Sequence, residues 1–233
     1  MGKDLIHKLR MYGPFVFIQF ALREFYLLLW MQGVKNSYSQ RGEDIVIDHL
    51  LKHKKIGFYI DVGANDPIRF SNTNRFYKRG WYGINIEPDP ICFEKIRSAR
   101  SKDVNLNIGI GTSHKKFYFY KFFPDTLSTF SKDAAKNYIQ KGFELVNKIK
   151  IEVRKLSDII DTYCRNTPID FISIDTEGYD LVVLKSNDWK RFRPKLVCIE
   201  AGLKNSEVTE YLQKNGYNEV FNNGLNKIFV DNQ

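Results

Sequence analysis

Five carboxylates in this 233-residue chain stand in or just past the ends of apolar runs, where a folded sheet would present them together. Asp61 lies in Tyr59-Ile60-Asp61-Val62-Gly63, before a glycine that permits a tight turn and close approach of a ligand to the backbone. Glu87 closes Trp81-Tyr82-Gly83-Ile84-Asn85-Ile86-Glu87, 24 positions after Gly63. A carboxylate there can accept both hydroxyls of a ribose. Asp175 and Glu177 follow Phe171-Ile172-Ser173-Ile174, and Glu200 ends Leu196-Val197-Cys198-Ile199. Three such carboxylates on neighbouring strand ends repel unless one is protonated, one serves as a base, or a cation sits among them. Two structural alternatives stand beside these readings. Asp61-x-Gly63 alone is compatible with a plain turn, and Asp175 or Glu177 could cap the helix that follows.

The turn after Asp61 reads Gly63-Ala64-Asn65-Asp66-Pro67, so the dinucleotide pattern G-x-G-x-x-G is absent. That disfavours a pyrophosphate-bearing cofactor, whose phosphates need several free amides at a helix start. It also disfavours a nucleotide-sugar dehydrogenase or epimerase. A positively charged cofactor with an amino-acid tail and an adenosine end fits Asp61 and Glu87 better.

The elements that must position these residues alternate along the chain. Strands are expected at 57–62, 81–87, 104–110, 169–175 and 196–200, with helices near 43–51, 70–79, 91–99, 157–163, 181–185 and 207–215. Tyr217–Phe221 and Lys227–Val230 read as a closing hairpin through Asn223-Gly224. This order predicts an α/β fold, a doubly wound, mostly parallel sheet with a C-terminal antiparallel hairpin whose antiparallel strand lies at the sheet edge. Ligands in such sheets bind at the carboxyl ends of the strands. Residues 117–160 are long for a crossover and read as a substrate-facing insertion with strands at 117–122 and 149–156 and a helix near 134–143. Its Phe117, Tyr118, Phe119, Tyr120, Phe122 and Phe123 could stack on a sugar ring or fill a strand core.

Composition narrows the classes. The 36 Lys and Arg against 27 Asp and Glu leave a formal net charge of +9, but the basic residues fall in short scattered groups with no nucleic-acid motif. No nucleic-acid partner is expected. The three cysteines, Cys92, Cys164 and Cys198, fit neither a disulfide framework nor a zinc site, and a reducing, cytoplasmic setting follows. His49 and His53 are spaced as a metal pair, yet lack a third ligand nearby and read as surface histidines. His114 follows the third strand as an alternative base.

Residues 1–36 form a separate segment, and 37–233 the domain. The stretch 11–34 is apolar and aromatic, interrupted by Arg23-Glu24 and preceded by Lys3, Lys8 and Arg10. Three readings fit: a helix packed on the domain or on a second copy in a homo-oligomer, a peripheral contact with the inner face of a membrane through residues 1–34, or a cleaved signal.

Asp61-Val62-Gly63-Ala64-Asn65, Gly80-Trp81-Tyr82-Gly83-Ile84-Asn85-Ile86-Glu87-Pro88 and Ile174-Asp175-Thr176-Glu177-Gly178-Tyr179-Asp180 together resemble the FkbM-family methyltransferases. Ser39-Gln40-Arg41-Gly42-Glu43-Asp44 is similar to a segment that precedes the first strand in many members, and the resemblance runs from about Ser37 to Val230. It implies a Rossmann-like class I fold, S-adenosylmethionine as cofactor, and O-methylation of a sugar or polyketide-type hydroxyl. It further implies that Asp61, Gly63 and Asn65 line the methionine end, Glu87 holds the ribose, and Ile108 and Gly109 border the adenine. Asp175 would face the transferring methyl group, with Asp175 or Glu177 as general base. Ser71, Asn72, Thr73 and Glu200 are expected to meet the acceptor, a sugar or glycan/glycolipid-linked hydroxyl. Magnesium, which some related sugar enzymes use, would fall to Asp175 and Glu200. Pro67 departs from the family, standing where glycine is frequent. The rivals are a non-catalytic membrane-associated scaffold and an RNA methyltransferase, the latter lacking its usual motif here.

Overall fold

Short apolar runs bounded by glycine, acidic or polar residues make the strands, and the segments between them supply helices for both faces of the sheet. The computed structural model describes residues 36–164, 167–201 and 206–233. The chain divides into Met1–Ser37 and Tyr38–Gln233. The first of these, apart from residues 36 and 37, lies outside the described residues, and so do the expectations for the 1–36 segment.

From Tyr38 onward the order is α1 (Glu43–Leu50), β1 (Phe58–Val62), α2 (Asn74–Lys78), β2 (Tyr82–Ile86), α3 (Pro90–Ala99), β3 (Val104–Leu106), β4 (Gly109–Ile110) and β5 (Lys115–Phe123). Then come α4 (Lys132–Gln140), β6 (Glu144–Arg154), α5 (Leu156–Tyr163), β7 (Phe171–Ile174), α6 (Asp180–Lys185), β8 (Leu196–Glu200), α7 (Ser206–Lys214), β9 (Tyr217–Asn222) and β10 (Asn226–Asp231). Seven strands form one sheet in the order β3-β2-β1-β7-β8-β10-β9. The first five run parallel. This is a mixed α/β architecture built on a mostly parallel sheet. β1, β7 and most of β8 are buried on both faces, as interior parallel strands must be. One cluster centred on Ile60, Ile172 and Val197 covers one face, and a second, with Tyr59, Phe76, Trp81 and Phe171, covers the other.

Three local expectations are corrected. The antiparallel strand is not at the edge: β10 pairs antiparallel with both β8 and β9, and β9 forms the rim. Ile228 and Phe229 of β10 are completely buried while Val220 of β9 is half exposed, so the more apolar strand takes the interior. The run 104–110 is two strands in two sheets, because β3 pairs with β2 and β4 with β6. At the break, Asn107 Nδ2 donates to the carbonyls of Glu87 and Pro88 at 2.8 and 3.1 Å. The helix expected over 70–79 begins only at Asn74, since Phe70 adopts a left-handed φ of 58° and Ser71 Oγ accepts from Asn74 N–H.

The insertion makes its own three-stranded sheet, β4-β6-β5, with α4 packed on it around Phe122, Leu127 and Ala135. Among the described residues, no helix is long and apolar enough to cross a membrane.

Candidate active site

The turn that leaves β1 is built by backbone contacts to its two neighbours. Gly63 N–H and Ala64 N–H both donate to the Ile86 carbonyl, at 2.9 and 3.3 Å, and Asp175 N–H donates to the Val62 carbonyl at 3.0 Å. Gly63 adopts φ 82°, and a Cβ there would fall 1.8 Å from the Asp175 carbonyl oxygen. Only glycine meets both demands. Asn65 follows at φ 46° and its N–H donates to Glu87 Oε2 at 2.8 Å. Glu87 Oε1 accepts from Asp89 N–H at 2.7 Å. Glu87 thus ties the turns after β1 and β2 together, and each of its oxygens keeps a further lone pair. Burial pushes its carboxyl up to about 8 despite these two amides.

Asp61 is buried and accepts from Thr73 Oγ1 at 2.7 Å. Burial raises its carboxyl, with the Thr73 hydroxyl opposing the shift. Ser71 Oγ lies 3.2 Å from Thr73 Oγ1 and accepts from Arg100 at 3.1 Å. The buried Arg100 also holds the Pro67 carbonyl at 2.6 Å, fixing the loop that runs from the turn to α2. Ser71 and Thr73, expected to meet an acceptor, are therefore buried hydroxyls that support Asp61 from within. Asn72 is half-buried and reaches across to Ser173 Oγ at 3.0 Å, beneath the ends of β7 and β8.

Asp175, Glu177 and Glu200 each place a carboxylate oxygen within 4.8 Å of the others. Burial and its neighbours Glu177, Asp180 and Asp61 hold the Asp175 carboxyl well above the usual range. Glu200 is pushed up to about 11 by burial and by Asp175 and Glu177. Both carboxyls hold a proton more tightly than a free one because each is buried among like charges. The loop that bears Glu177 is strained, with φ 52° there and 85° at Gly178. Asp180 organises it, accepting from Thr176 N–H and Oγ1 at 2.9 Å and from Gly178 N–H at 3.1 Å. Tyr179 stands at the N-cap of α6 without a side-chain cap bond, and neither Asp175 nor Glu177 caps the helix; Asp180, its first residue, instead braces the loop before it. Its short side chain opening a helix two residues past a glycine is the signal that could have found it.

The insertion grips this loop from outside. Thr129 Oγ1 donates to the Glu177 carbonyl at 2.9 Å, Tyr138 Oη donates to Glu177 Oε2 at 2.5 Å, and the Phe130 and Tyr179 rings stand 5.7 Å apart. Neither Thr129 nor Tyr138 was singled out by sequence, because their partner lies 48 and 39 residues away. On the adenine side, a Cβ on Gly109 would fall 2.4 Å from the Phe130 ring, so one face of this residue packs on the insertion. Ile108 is partly buried against the main core. His114 is exposed and paired with Asp158, well outside the carboxylate cluster's contacts.

The arrangement is an excess of carboxylates at the carboxyl ends of parallel strands: Asp61, Glu87, Asp175, Glu177 and Glu200. Among the described residues, no lysine or arginine forms an ion pair with Asp61, Glu87, Asp175 or Glu200. Such a donor set suits a ligand that carries positive charge and hydroxyls.

Comparison with known proteins agrees in kind. The model of the methyltransferase FkbM domain matches residues 61–219. No curated protein matches the sequence. Among solved structures the chain is similar to a TehB-like SAM-dependent methyltransferase from Corynebacterium glutamicum, at 14% identity and TM-score 0.45 over 91% of this chain and 98% of that one. It is also similar to the Burkholderia thailandensis 1,6-didemethyltoxoflavin-N1-methyltransferase, at 10% identity and TM-score 0.43 over 91% and 87%. A third is the Methanococcus jannaschii fibrillarin pre-rRNA processing protein, at 14% and 0.40 over 76% and 67%. With the family model spanning both strand-end clusters, the chain belongs to the FkbM methyltransferase family.

Proposed function

We propose that the protein is an S-adenosylmethionine-dependent O-methyltransferase whose acceptor is a sugar hydroxyl in a glycan or glycolipid-linked substrate. The observation that carries this reading is the gathering of Asp175, Glu177 and Glu200 within 4.8 Å of one another, with Asp61 and Glu87 at neighbouring strand ends, in a methyltransferase domain. A sulfonium and an ammonium group are what such a donor set would hold, and Glu87 has lone pairs left for ribose hydroxyls. The turn at Gly63 and Asn65 with Asp61 behind it would hold the methionine end, and Glu87 the ribose. When bound, the cofactor supplies a methyl group on a positively charged sulfur.

The chain's own task is positioning and proton removal. A sugar hydroxyl is a poor nucleophile and must lose its proton as the new O–C bond forms. Glu177, fixed by Tyr138 and by the Asp180-ordered loop, takes that proton. Asp175 and Glu200, both raised by burial and like charge, take up protons more readily and so lower the charge beside Glu177. Asp175, Glu177 and Glu200 are also close enough together to hold one divalent cation, which would orient the hydroxyl and ease its ionisation.

Calorimetric titration of S-adenosylmethionine into wild type, Asp61→Ala and Glu87→Ala tests the cofactor. Micromolar binding that both variants lose supports the reading. No binding to a folded wild type turns attention to the scaffold alternative. An acceptor screen run with magnesium and with chelator then separates the carboxylate base from the metal.

A further inference from the structure

The charge of the domain is zoned. Residues 115–154 carry nine Lys and Arg against four Asp and Glu, so this insertion alone supplies +5 of the chain's +9. The strand ends it clasps are acidic.

Pairing fixes where those cations go. Tyr118 lies opposite Lys150, Tyr120 opposite Lys148, and Lys116 opposite Glu152. Paired residues share a face, and so do alternate residues of one strand. Lys116, Tyr118, Tyr120, Lys148 and Lys150 therefore form one face of the β4-β6-β5 sheet. The other face carries Phe119, Ile151 and Val153, all buried. The lysines and Tyr118 of the first face are exposed and Tyr120 is half-buried. Lys148 Nζ stands 3.9 Å from the Tyr118 ring centroid, and Lys150 Nζ stands 5.4 Å from it. Among the described residues, none of Lys116, Lys148 and Lys150 has a carboxylate partner. The one acid of this face, Glu152, is taken by Arg154 at 2.7 Å.

This face is linked to the candidate site through direct contacts. Tyr120 exchanges both backbone hydrogen bonds with Thr129, at 2.9 and 3.0 Å, and the Thr129 hydroxyl holds the Glu177 carbonyl. The Tyr120 ring packs in the same small cluster as Tyr138, which holds the Glu177 carboxylate.

We propose that this Lys/Tyr face binds a negatively charged polysaccharide, bearing phosphate or uronic-acid groups, and that this polymer is the acceptor. The inference rests on the sugar O-methyltransferase reading and adds the charge of its substrate. A small anion would be disfavoured at the strand ends, where acidic side chains crowd together. A polymer resolves the conflict: its anionic groups lie on the lysines while a neutral hydroxyl enters the acidic site. The same zoning orients the polymer, since the lysine face attracts its charges and the strand ends do not. The Tyr118 face is already covered by Lys148, which favours charge recognition over the base stacking used for single-stranded nucleic acid.

The test uses the 233-residue chain and a Lys148→Glu/Lys150→Glu variant, both exposed positions outside the strand-end site. Fluorescence anisotropy would follow an oligogalacturonate, its neutral methyl ester, a phosphorylated dextran fragment, an oligouridylate and phosphatidylglycerol vesicles. At low salt, one or both charged glycans should bind wild type and bind the variant about tenfold or more weakly, with the gap closing as salt rises. Whichever glycan binds identifies carboxylate or phosphate as the recognised group. Equal binding of the neutral ester, equal binding by the variant, or no charged glycan bound would overturn the proposal. So would tighter, lysine-dependent binding of RNA or vesicles. S-adenosylmethionine titration of both proteins runs alongside. If the cofactor fails to bind while the glycan binds, the methyltransferase reading falls and the anion face stands. Cofactor binding with no glycan binding is the reverse.

Discussion

Strand β7 has an aspartate just outside each end, and the molecule treats the two in opposite ways. Asp170, ahead of the strand, is completely buried and accepts from Lys54 Nζ at 2.5 and 2.6 Å, Lys195 Nζ at 3.1 Å and Phe58 N–H at 3.0 Å. Asp175, past the strand, faces Glu177, Asp180, Asp61 and Glu200, and its carboxyl is raised well above the ordinary range. A glycine of the β1 segment approaches each: Gly57 beside Asp170 and Gly63 beside Asp175. One end of the strand pair has its charge neutralised by the chain. The other keeps an excess of like charge that helps no fold, which marks it as the end built for a ligand.

The glycines give the largest expected effects. Gly63→Ala puts a Cβ 1.8 Å from a backbone oxygen in a left-handed turn. Overpacking and the backbone penalty together should cost about 3 kcal/mol or more. Gly57→Ala meets the Asp170 carboxylate at 2.4 Å and the Trp81 ring at 2.5 Å, side chains that can shift. About 1–3 kcal/mol is expected there. Urea midpoints measure both. A Gly63→Ala protein as stable as wild type would mean that the turn is not pinned to β7.

The aspartates should then separate in sign. Asp170→Asn weakens the bonds of this buried group to Phe58 N–H and to two partly exposed lysines and should lower stability by about 1–2 kcal/mol. Asp175→Asn removes one of several repelling carboxylates and should leave stability equal or higher, while cofactor binding or turnover falls. Loss of stability in both variants would erase the distinction between the two ends.

The acidic end was far more legible in the sequence than the neutralised one. Asp61, Glu87, Asp175 and Glu200 stand at the ends of apolar runs, and strand boundaries are what hydrophobic pattern reports well. The partners of Asp170 are not local: Lys54 and Lys195 lie 116 and 25 residues away, and nothing in the pattern links them. Strand order is hidden for the same reason, so the interior place of β10 emerged only from packing. The run Leu106-Asn107-Ile108-Gly109-Ile110 looks continuous, yet Asn107 turns it from one sheet into another. Ser71 and Thr73 show the limit for polar residues, since composition cannot tell a hydroxyl that meets a ligand from one that braces a buried carboxylate.

Titration sharpens the contrast more gently. Glu87 has its folded value raised from 4.5 to about 8 by burial. The folded chain then holds a proton that the unfolded chain has released, so stability is lost as pH rises through this window. Melting temperature without cofactor should fall between about pH 5 and pH 8, and Glu87→Gln should flatten the slope. Asp231, lowered by its bond to Arg193, acts the other way and only at more acid pH. A rising melting curve over the same window would show that Glu87 is ionised in the folded protein.

The smallest effect bears on how the acidic end is held in place. Tyr138→Phe removes the hydroxyl that donates to Glu177 Oε2 and nothing of the ring that packs on Phe122 and Phe143. The hydrogen bond should be worth about 1 kcal/mol. A double-mutant cycle with Glu177→Gln isolates it, because the amide keeps the shape but loses the charge that strengthens the bond. Coupling of about that size ties the insertion to the reactive carboxylate through this one contact. An equal cost of Tyr138→Phe in both backgrounds would place the grip in Thr129 and the Phe130–Tyr179 packing instead. The insertion would then hold the loop's backbone while leaving the Glu177 side chain to the ligand.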